Sequence, residues 1–420
     1  MDRRTRTSRL INAIKQGRLA DVVRMLREGT SAHDLGDFGD AFVRPIAVAT
    51  GYGHIDIIKA LIARGADAEA TCYSNMDGAW KGNPASLHGC KALHIAAAVG
   101  NAEAILVLLQ LGAHPNSTNT NGVTPMMVAC ESSSGTSTKL EMLHSLLRAG
   151  AAPALENELG ALAIHYAAAR CETEVVELLL SKAPSTLNHA DNHGCSPLGA
   201  AALQGRESTL SLLLSAGASD RIVWATKGVS ALHEAIGIGK GNSVRFLLEN
   251  GLEAVGGLPA IAGAMAVSVS YGYIDILEML LNVEGEEKQE VWANQHAYFA
   301  HDGSLLRGVP GPTMATKFEW LPILHYAAKY CSIPALRILL SAGADTETCD
   351  LKGKLAVEHI GSLLPDDKRN GSMEAAVQRM LRKGPAFRVR SWAWPGSMAA
   401  THGGASKVPQ SSSNPVPKKT

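Results

Sequence analysis

Three stretches decide the fold: SRLINAIKQGRLADVVRMLREGT (8–30), RPIAVATGYGHIDIIKALIARGA (44–66) and KALHIAAAVGNAEAILVLLQLGA (91–113). Aligned, all three carry an aliphatic residue at place 3, Ala at 6, Gly at 10 and Val or Ile at 15. Place 18 is Leu or Met, place 19 is Leu or Ile, and Gly stands at place 22. The place-3 residue recurs as Leu10, Ile46, Leu93, Met126, Ile164, Leu198, Leu232, Met265 and Leu324. Four of these eight steps are 33 or 34 residues and the others are longer, as insertions into one fixed unit produce.

The places state the physics of the unit. Apolar residues at 3, 6 and 7 lie on one face of a short helix, because side chains three and four apart are neighbours there. Gly at place 10 (Gly17, Gly53, Gly100, Gly205, Gly239, Gly272) then ends that helix, where a left-handed turn costs Gly little. Places 15, 18 and 19 make a second apolar stripe, as in Ile105, Leu108 and Leu109. One helix pair cannot bury both stripes alone, so neighbours must stack. About ten polar or Asn/Asp/Gly-rich residues follow each pair, in keeping with a turn or hairpin.

This unit resembles the ankyrin repeat, whose period is about 33 residues and whose signature is T-P-L-H-x-A. The residues that carry the resemblance are Thr124-Pro125-Met126, Ser196-Pro197-Leu198, Leu93-His94, Leu232-His233 and Leu324-His325, with Gly-Ala closing units at Gly65, Gly112, Gly150, Gly217 and Gly343. It implies an all-α repeat solenoid of stacked helix-turn-helix units with hairpin or loop connections. We expect nine units across 8–345, a degenerate capping repeat at 346–384 with a helix around Met373–Leu381, a basic segment at 1–7 and a disordered basic tail at 385–420. There are departures. Cys171 and Cys331 replace the place-10 Gly, and the eighth unit, from Gly263, lacks the T-P-L-H signature.

Insertions are expected at 67–90, 131–139 and 283–319; the acidic opening of the last, GEEKQEVWANQHAYFA, is compatible with a helix. The uncharged stretch 254–274 is long enough to span a bilayer. Its five Gly and Pro residues and its repeat register argue instead for a buried unit, with no membrane span. The N-terminus is basic but lacks the apolar run of a secretory signal.

Composition fits this picture. The chain has 420 residues, 46% hydrophobic and only 5% aromatic, so its core is built from small and aliphatic side chains. Lys+Arg and Asp+Glu both number 39, which disfavours a globally basic nucleic-acid binder. The balance is uneven: five basic and no acidic residues lie beyond Gly384, leaving the repeat body acidic. Seven widely spaced Cys suggest reduced thiols and a cytoplasmic or nuclear setting.

The candidate contacts with a partner are aromatic residues off the repeat-helix core places: Trp80, Trp224, Trp292, Tyr298, Phe299 and Trp320. One such ring buries much area with few rotatable bonds. Trp80, Trp292 and Trp320 have an alternative role as anchors for their own loops. His94, His165, His233 and His325 recur at place 4; the resemblance implies hydrogen bonds to loop backbone and no catalytic role. His189, His193 and Cys195 offer ligand types, as do Cys72, His88 and Cys90, but paired spacings and a fourth ligand are missing. Gly237 to Gly241 lacks the G-x-x-x-x-G-K-[ST] run of a phosphate loop. We therefore expect no catalytic residue, no metal, no cofactor and no small-molecule substrate. The expected function is a non-catalytic scaffold or adaptor that binds another protein through its concave helix face and connecting loops. The alternatives are a substrate receptor of a ubiquitin ligase and a regulatory subunit of an enzyme complex.

Overall fold

The computed structural model describes residues 3–38, 41–71, 89–220, 230–300, 318–362 and 370–383. Within them the place pattern becomes helix pairs. The first pairs are Arg3–Lys15 with Leu19–Arg27, Pro45–Gly51 with Ile55–Ile62, and Ala92–Ala98 with Ala102–Gln110. Pro125–Glu131 with Thr136–Arg148, Ala163–Arg170 with Thr173–Lys182, and Pro197–Gln204 with Glu207–Ser215 follow. Then come Ala231–Gly237 with Gly241–Asn250, Leu258–Tyr271 with Ile274–Leu281, and Ile323–Lys329 with Ile333–Ser341. Each first helix packs on the next first helix along this whole series. One continuous apolar cluster runs from Leu10 to Leu381, filled mainly by Leu, Ile, Val and Ala. It is an all-α solenoid, with strands only in two short antiparallel pairs among the described residues, the first being β1 (Gly36–Phe38) with β2 (Ala41–Val43).

Local chemistry starts and stops the helices. The Thr124 and Ser196 hydroxyls accept from the amides of Met127 and Gly199, and Pro125 and Pro197 occupy the first helical turn, where no amide is missed. At the other end Gly205 and Gly272 take left-handed conformations, φ 76° in both. There is a second reason for glycine at place 10. A Cβ on Gly239 would lie 3.0 Å from the ring of Tyr273, and one on Gly17 would lie 3.0 Å from His54. Tyr273 and His54 hold place 11 of the following unit, so each stop is also a contact between units. Cys331 keeps the left-handed turn at φ 49°, whereas Cys171 is extended at φ −103°.

The uncharged stretch becomes the fourteen-residue helix Leu258–Tyr271, packed between the helices Ala231–Gly237 and Ile323–Lys329. Met265 and Val269 are buried, as the register requires. No helix among the described residues is long and apolar enough to cross a membrane.

The insertions depart from simple loops. Residues 72–88 of the first lie outside the described residues. The second mostly lengthens a helix: Thr136–Arg148 begins a turn early and carries Lys139. In the third, the expected helix is only Gln289–Ala293, after the 3-10 turn Glu286–Lys288. The chain then becomes strand β3 (His296–Ala300), antiparallel to β4 (Phe318–Pro322). The helix stops because Asn294 is recruited elsewhere: its Nδ2 donates to the Gly343 carbonyl at 3.1 Å, and its Oδ1 accepts from the Asp345 amide at 2.7 Å. The aromatic HAYFA segment that follows suits a strand. Beyond the ninth pair, the 3-10 turn Ala356–His359 and the helix Gly371–Lys383 close the described stack.

Candidate partner-binding face

The solenoid first builds a rigid frame of polar contacts. His94 Nδ1 accepts from the Lys91 amide at 3.3 Å, and Nε2 donates to the Val123 carbonyl at 2.9 Å in the next unit. His165 repeats this with the Leu162 amide at 3.0 Å and the His189 carbonyl at 3.1 Å. His325 Nε2 reaches the Lys354 carbonyl at 3.1 Å. A carbonyl only accepts, so the two bonds of His94 fix a neutral ring with its proton on Nε2. Burial pushes the His94 and His233 pKa values down to about 4, and that of His165 downward as well. His94, His165 and His325 therefore bond loop backbone, as the resemblance implied, whereas His233 pairs through Nδ1 with the Ser230 hydroxyl at 3.0 Å.

Those loops are stapled by a carboxylate or amide at one position. Asn119 Oδ1 accepts from the amides of Asn121 and Val123, both at 2.9 Å, and Asn157 accepts likewise from Leu159 and Ala161. Asp191 and Asp350 do the same two and four residues on. Side chain-to-backbone bonds of this kind favour turns. His193 and Cys195 belong to such a staple through their backbone amides, and His189 Nε2 bonds the Gly160 carbonyl at 3.0 Å. Cys72 and His88 lie outside the described residues. Asp220 stands ahead of the staple position and is buried; it bonds the Ser196 hydroxyl and accepts from the Ala231 amide at 2.6 Å. Burial raises its pKa to about 6 despite those donors.

Neighbouring hairpins are also zipped together. Asn116 Nδ2 donates to the Gly150 carbonyl at 3.0 Å, and its Oδ1 accepts from the Ala152 amide at 2.8 Å. Asn294 bonds Gly343 and Asp345 in the same way. The large insertion thus re-enters the repeat register at Asn294, and β3 follows from an ordinary hairpin position, packed against the helix Leu258–Tyr271.

On this frame the informative exposure is at place 9, the residue before the helix-ending glycine. Tyr52 is 40% exposed, Val99 39%, Ile238 45% and Tyr271 50%. Tyr52 stacks on His54 at 6.1 Å and Tyr271 on Tyr273 at 5.8 Å, both nearly parallel. The place-11 ring that fills the gap over the preceding glycine therefore also supports the exposed ring. A shallow depression lined by Tyr52, Val99, Asn101, Thr138 and Glu141 runs beside the first part of this ridge.

Residues 10–119 and 133–223 match the family described as "Ankyrin repeats (3 copies)". The chain is an ankyrin-repeat protein. It is also similar to human transient receptor potential cation channel subfamily A member 1, 27% identical over 194 residues. That match covers 44% of this chain and 15% of the channel subunit, so the chain spans a small part of that relative. Ankyrin repeats are in general protein–protein interaction modules.

The aromatic residues singled out from the sequence fare differently on the ankyrin frame. Trp80 and Trp224 lie outside the described residues. Trp292 is 5% exposed and packs into the core, with its Nε1 lacking an acceptor. Its ring anchors the insertion from within, and a partner contact there does not hold. Tyr298 and Phe299 lie on β3 and Trp320 on β4, with Tyr298 opposite Trp320 and Phe299 opposite Glu319. The place-9 ridge was missed. Its signal was present in Tyr52, Val99, Ile238 and Tyr271, large apolar residues at one place outside both buried stripes.

Proposed function

We propose that this ankyrin array is a non-catalytic scaffold or adaptor that docks another protein along the place-9 ridge. The observation that supports this reading is the recurrence of exposed large apolar side chains at one place of the unit, in Tyr52, Val99, Ile238 and Tyr271. Exposed apolar residues aligned on a rigid support are unlike singly scattered ones and suit a protein contact. The finger carrying Tyr298, Phe299 and Trp320 belongs to the same proposal, as do Trp80 and Trp224 in two other connections. The acidic body favours protein over nucleic acid, since phosphates need clustered Lys and Arg. The free cysteines among the described residues support a reducing cytoplasmic or nuclear setting. The short match to the channel subunit carries no channel activity over to this chain.

Proximity labelling of the full chain in cells, compared with Tyr52→Ser/Val99→Ser, Ile238→Ser/Tyr271→Ser and a deletion of residues 283–320, tests this reading. Partners lost from a ridge variant with an unchanged melting temperature support it. An identical partner list for all three variants would remove both the ridge and the finger as docking sites.

A further inference from the structure

Three departures from the repeat pattern meet at one point. The insertion in the fourth unit starts the helix Thr136–Arg148 a turn early and brings in Lys139. Cys171 stands where six other units have a left-handed glycine, and its extended backbone directs Sγ inward. Cys130 occupies place 7 of the fourth unit and is fully buried. Lys139 Nζ lies 3.1 Å from the Cys130 carbonyl and 3.5 Å from Cys171 Sγ, and Cys171 Sγ lies 3.1 Å from that same carbonyl. Cys171 Sγ thus donates to the Cys130 carbonyl, which sets the two cysteines side by side.

Lysine is almost never buried without a partner. Lys139 is 5% exposed, and no carboxylate pairs with it among the described residues. The acidic group within its reach is the Cys171 thiol. Arg206 adds positive charge from the next unit by donating to the Cys171 carbonyl at 2.7 Å. The neighbouring Cys130 thiol and the charge of Lys139 together bring Cys171 down to about 7 against its burial, while Cys130 is pushed up. One thiol is thus prepared as a nucleophile and its neighbour is kept protonated.

We propose that Cys171 and Cys130 are a peroxide-oxidised thiol pair, activated by Lys139, that closes a disulfide between the fourth and fifth units. The Cys171 thiolate attacks a peroxide oxygen, so an S–O bond forms, the O–O bond breaks and hydroxide leaves. Cys130 Sγ then attacks Cys171 Sγ; the S–S bond forms, the S–O bond breaks, and hydroxide departs with the Cys130 proton as water. Overall the two thiols lose two electrons and two protons, and one hydrogen peroxide becomes two waters. Glu131 and Arg170, the chain neighbours of the two cysteines, form an ion pair 3.7 Å apart.

The full chain is treated with hydrogen peroxide, unfolded with an alkylating agent present, and mapped by peptide mass spectrometry. The expected product is a Cys130–Cys171 linked peptide lighter by two hydrogens and cleaved by dithiothreitol. Lys139→Met is expected to slow its formation about tenfold at pH 7, as the thiolate fraction falls. The wild-type map stands even if that variant folds poorly. Three results overturn the proposal: both thiols recovered free after exposed Cys349 has oxidised, Cys171 over-oxidised beside reduced Cys130, or an oxygen-bridged link from Cys171 to Lys139.

Discussion

His94 and Val123 belong to neighbouring repeats and are joined by one hydrogen bond, from the ring Nε2 to the carbonyl at 2.9 Å. The same ring accepts from the Lys91 amide, so one side chain closes the start of its own helix and holds the next hairpin. His94→Ala leaves both backbone groups buried and unpaired, at a cost of about 1–3 kcal/mol each in the worst case. We expect a loss of about 2–4 kcal/mol in urea unfolding, with faster hydrogen exchange at 119–124. His144, exposed on a second helix, is the control: alanine there changes stability by less than about 0.5 kcal/mol. Equal effects at the two sites would refute the structural role.

Acid should destabilise the array. The His94 and His233 pKa values are about 4 in the folded chain, against an unfolded value of about 6.5. The folded state refuses protons that the unfolded state takes up, so stability is complete above about pH 6.5 and falls as pH drops toward 4. At pH 5 each ring costs about 2 kcal/mol. Asp220 acts in the opposite sense. Its raised pKa of about 6 gives a contribution that is full below about 4 and lost as pH rises through 6. Acidification therefore returns about 1 kcal/mol there. The two rings outweigh it, with a net loss of about 2–3 kcal/mol between pH 7 and 5 in denaturant titrations. A chain more stable at pH 5 than at pH 7 would show these rings to be protonated in the fold.

The two glycine positions of the unit should differ in cost. Gly65 (φ 86°) has nothing within 4 Å of an added Cβ, so Gly65→Ala carries only the left-handed penalty of about 1–2 kcal/mol. At Gly239 (φ 70°) the Cβ also meets the Tyr273 ring at 3.0 Å, and Tyr273 is stacked under Tyr271. Gly239→Ala is expected to cost about 1 kcal/mol more, an overpacking penalty. It should also shift the Tyr271 ring, read as altered tyrosine fluorescence or side-chain NMR. Identical melting temperatures for the two variants would mean that the ring imposes no constraint.

The buried part of the molecule was legible because burial repeats. Leu93, Ala96, Ile105 and Leu108 hold places whose spacing alone puts them inside, and the eighth unit's Met265 and Val269 follow despite its missing signature. Asn157-Glu158-Leu159-Gly160 and Asp350-Leu351-Lys352-Gly353 spell the hairpin staple once its geometry is known. Exposed positions carry no such constraint, so Tyr52 and Tyr271 looked like ordinary variation. The insertion departs from its expected helix in part because Asn294 draws its role from unit nine, about fifty residues later, beyond any local pattern. Cys171 was visible as a departure, but its meaning needs Lys139, which reaches it from another helix.

Asn294 gives the sharpest test of how the finger is joined to the array. Its amide makes with Gly343 and Asp345 the same two bonds that Asn116 makes with Gly150 and Ala152. If the insertion is an elongated hairpin set in the repeat register, Asn294→Ala and Asn116→Ala should behave alike, each costing about 1–2 kcal/mol for two partly exposed bonds. Asn294→Ala should also speed hydrogen exchange at the Asp345 amide and leave the deep Leu336 and Leu339 amides protected. Asn294→Asp keeps the acceptor for Asp345 but loses the donor to Gly343 and places a carboxylate beside Asp345, so it should not rescue. Should Asn294→Ala leave the Asp345 amide as slow as before, the finger must be held by its packing through Trp292, and the parallel with Asn116 would be coincidence.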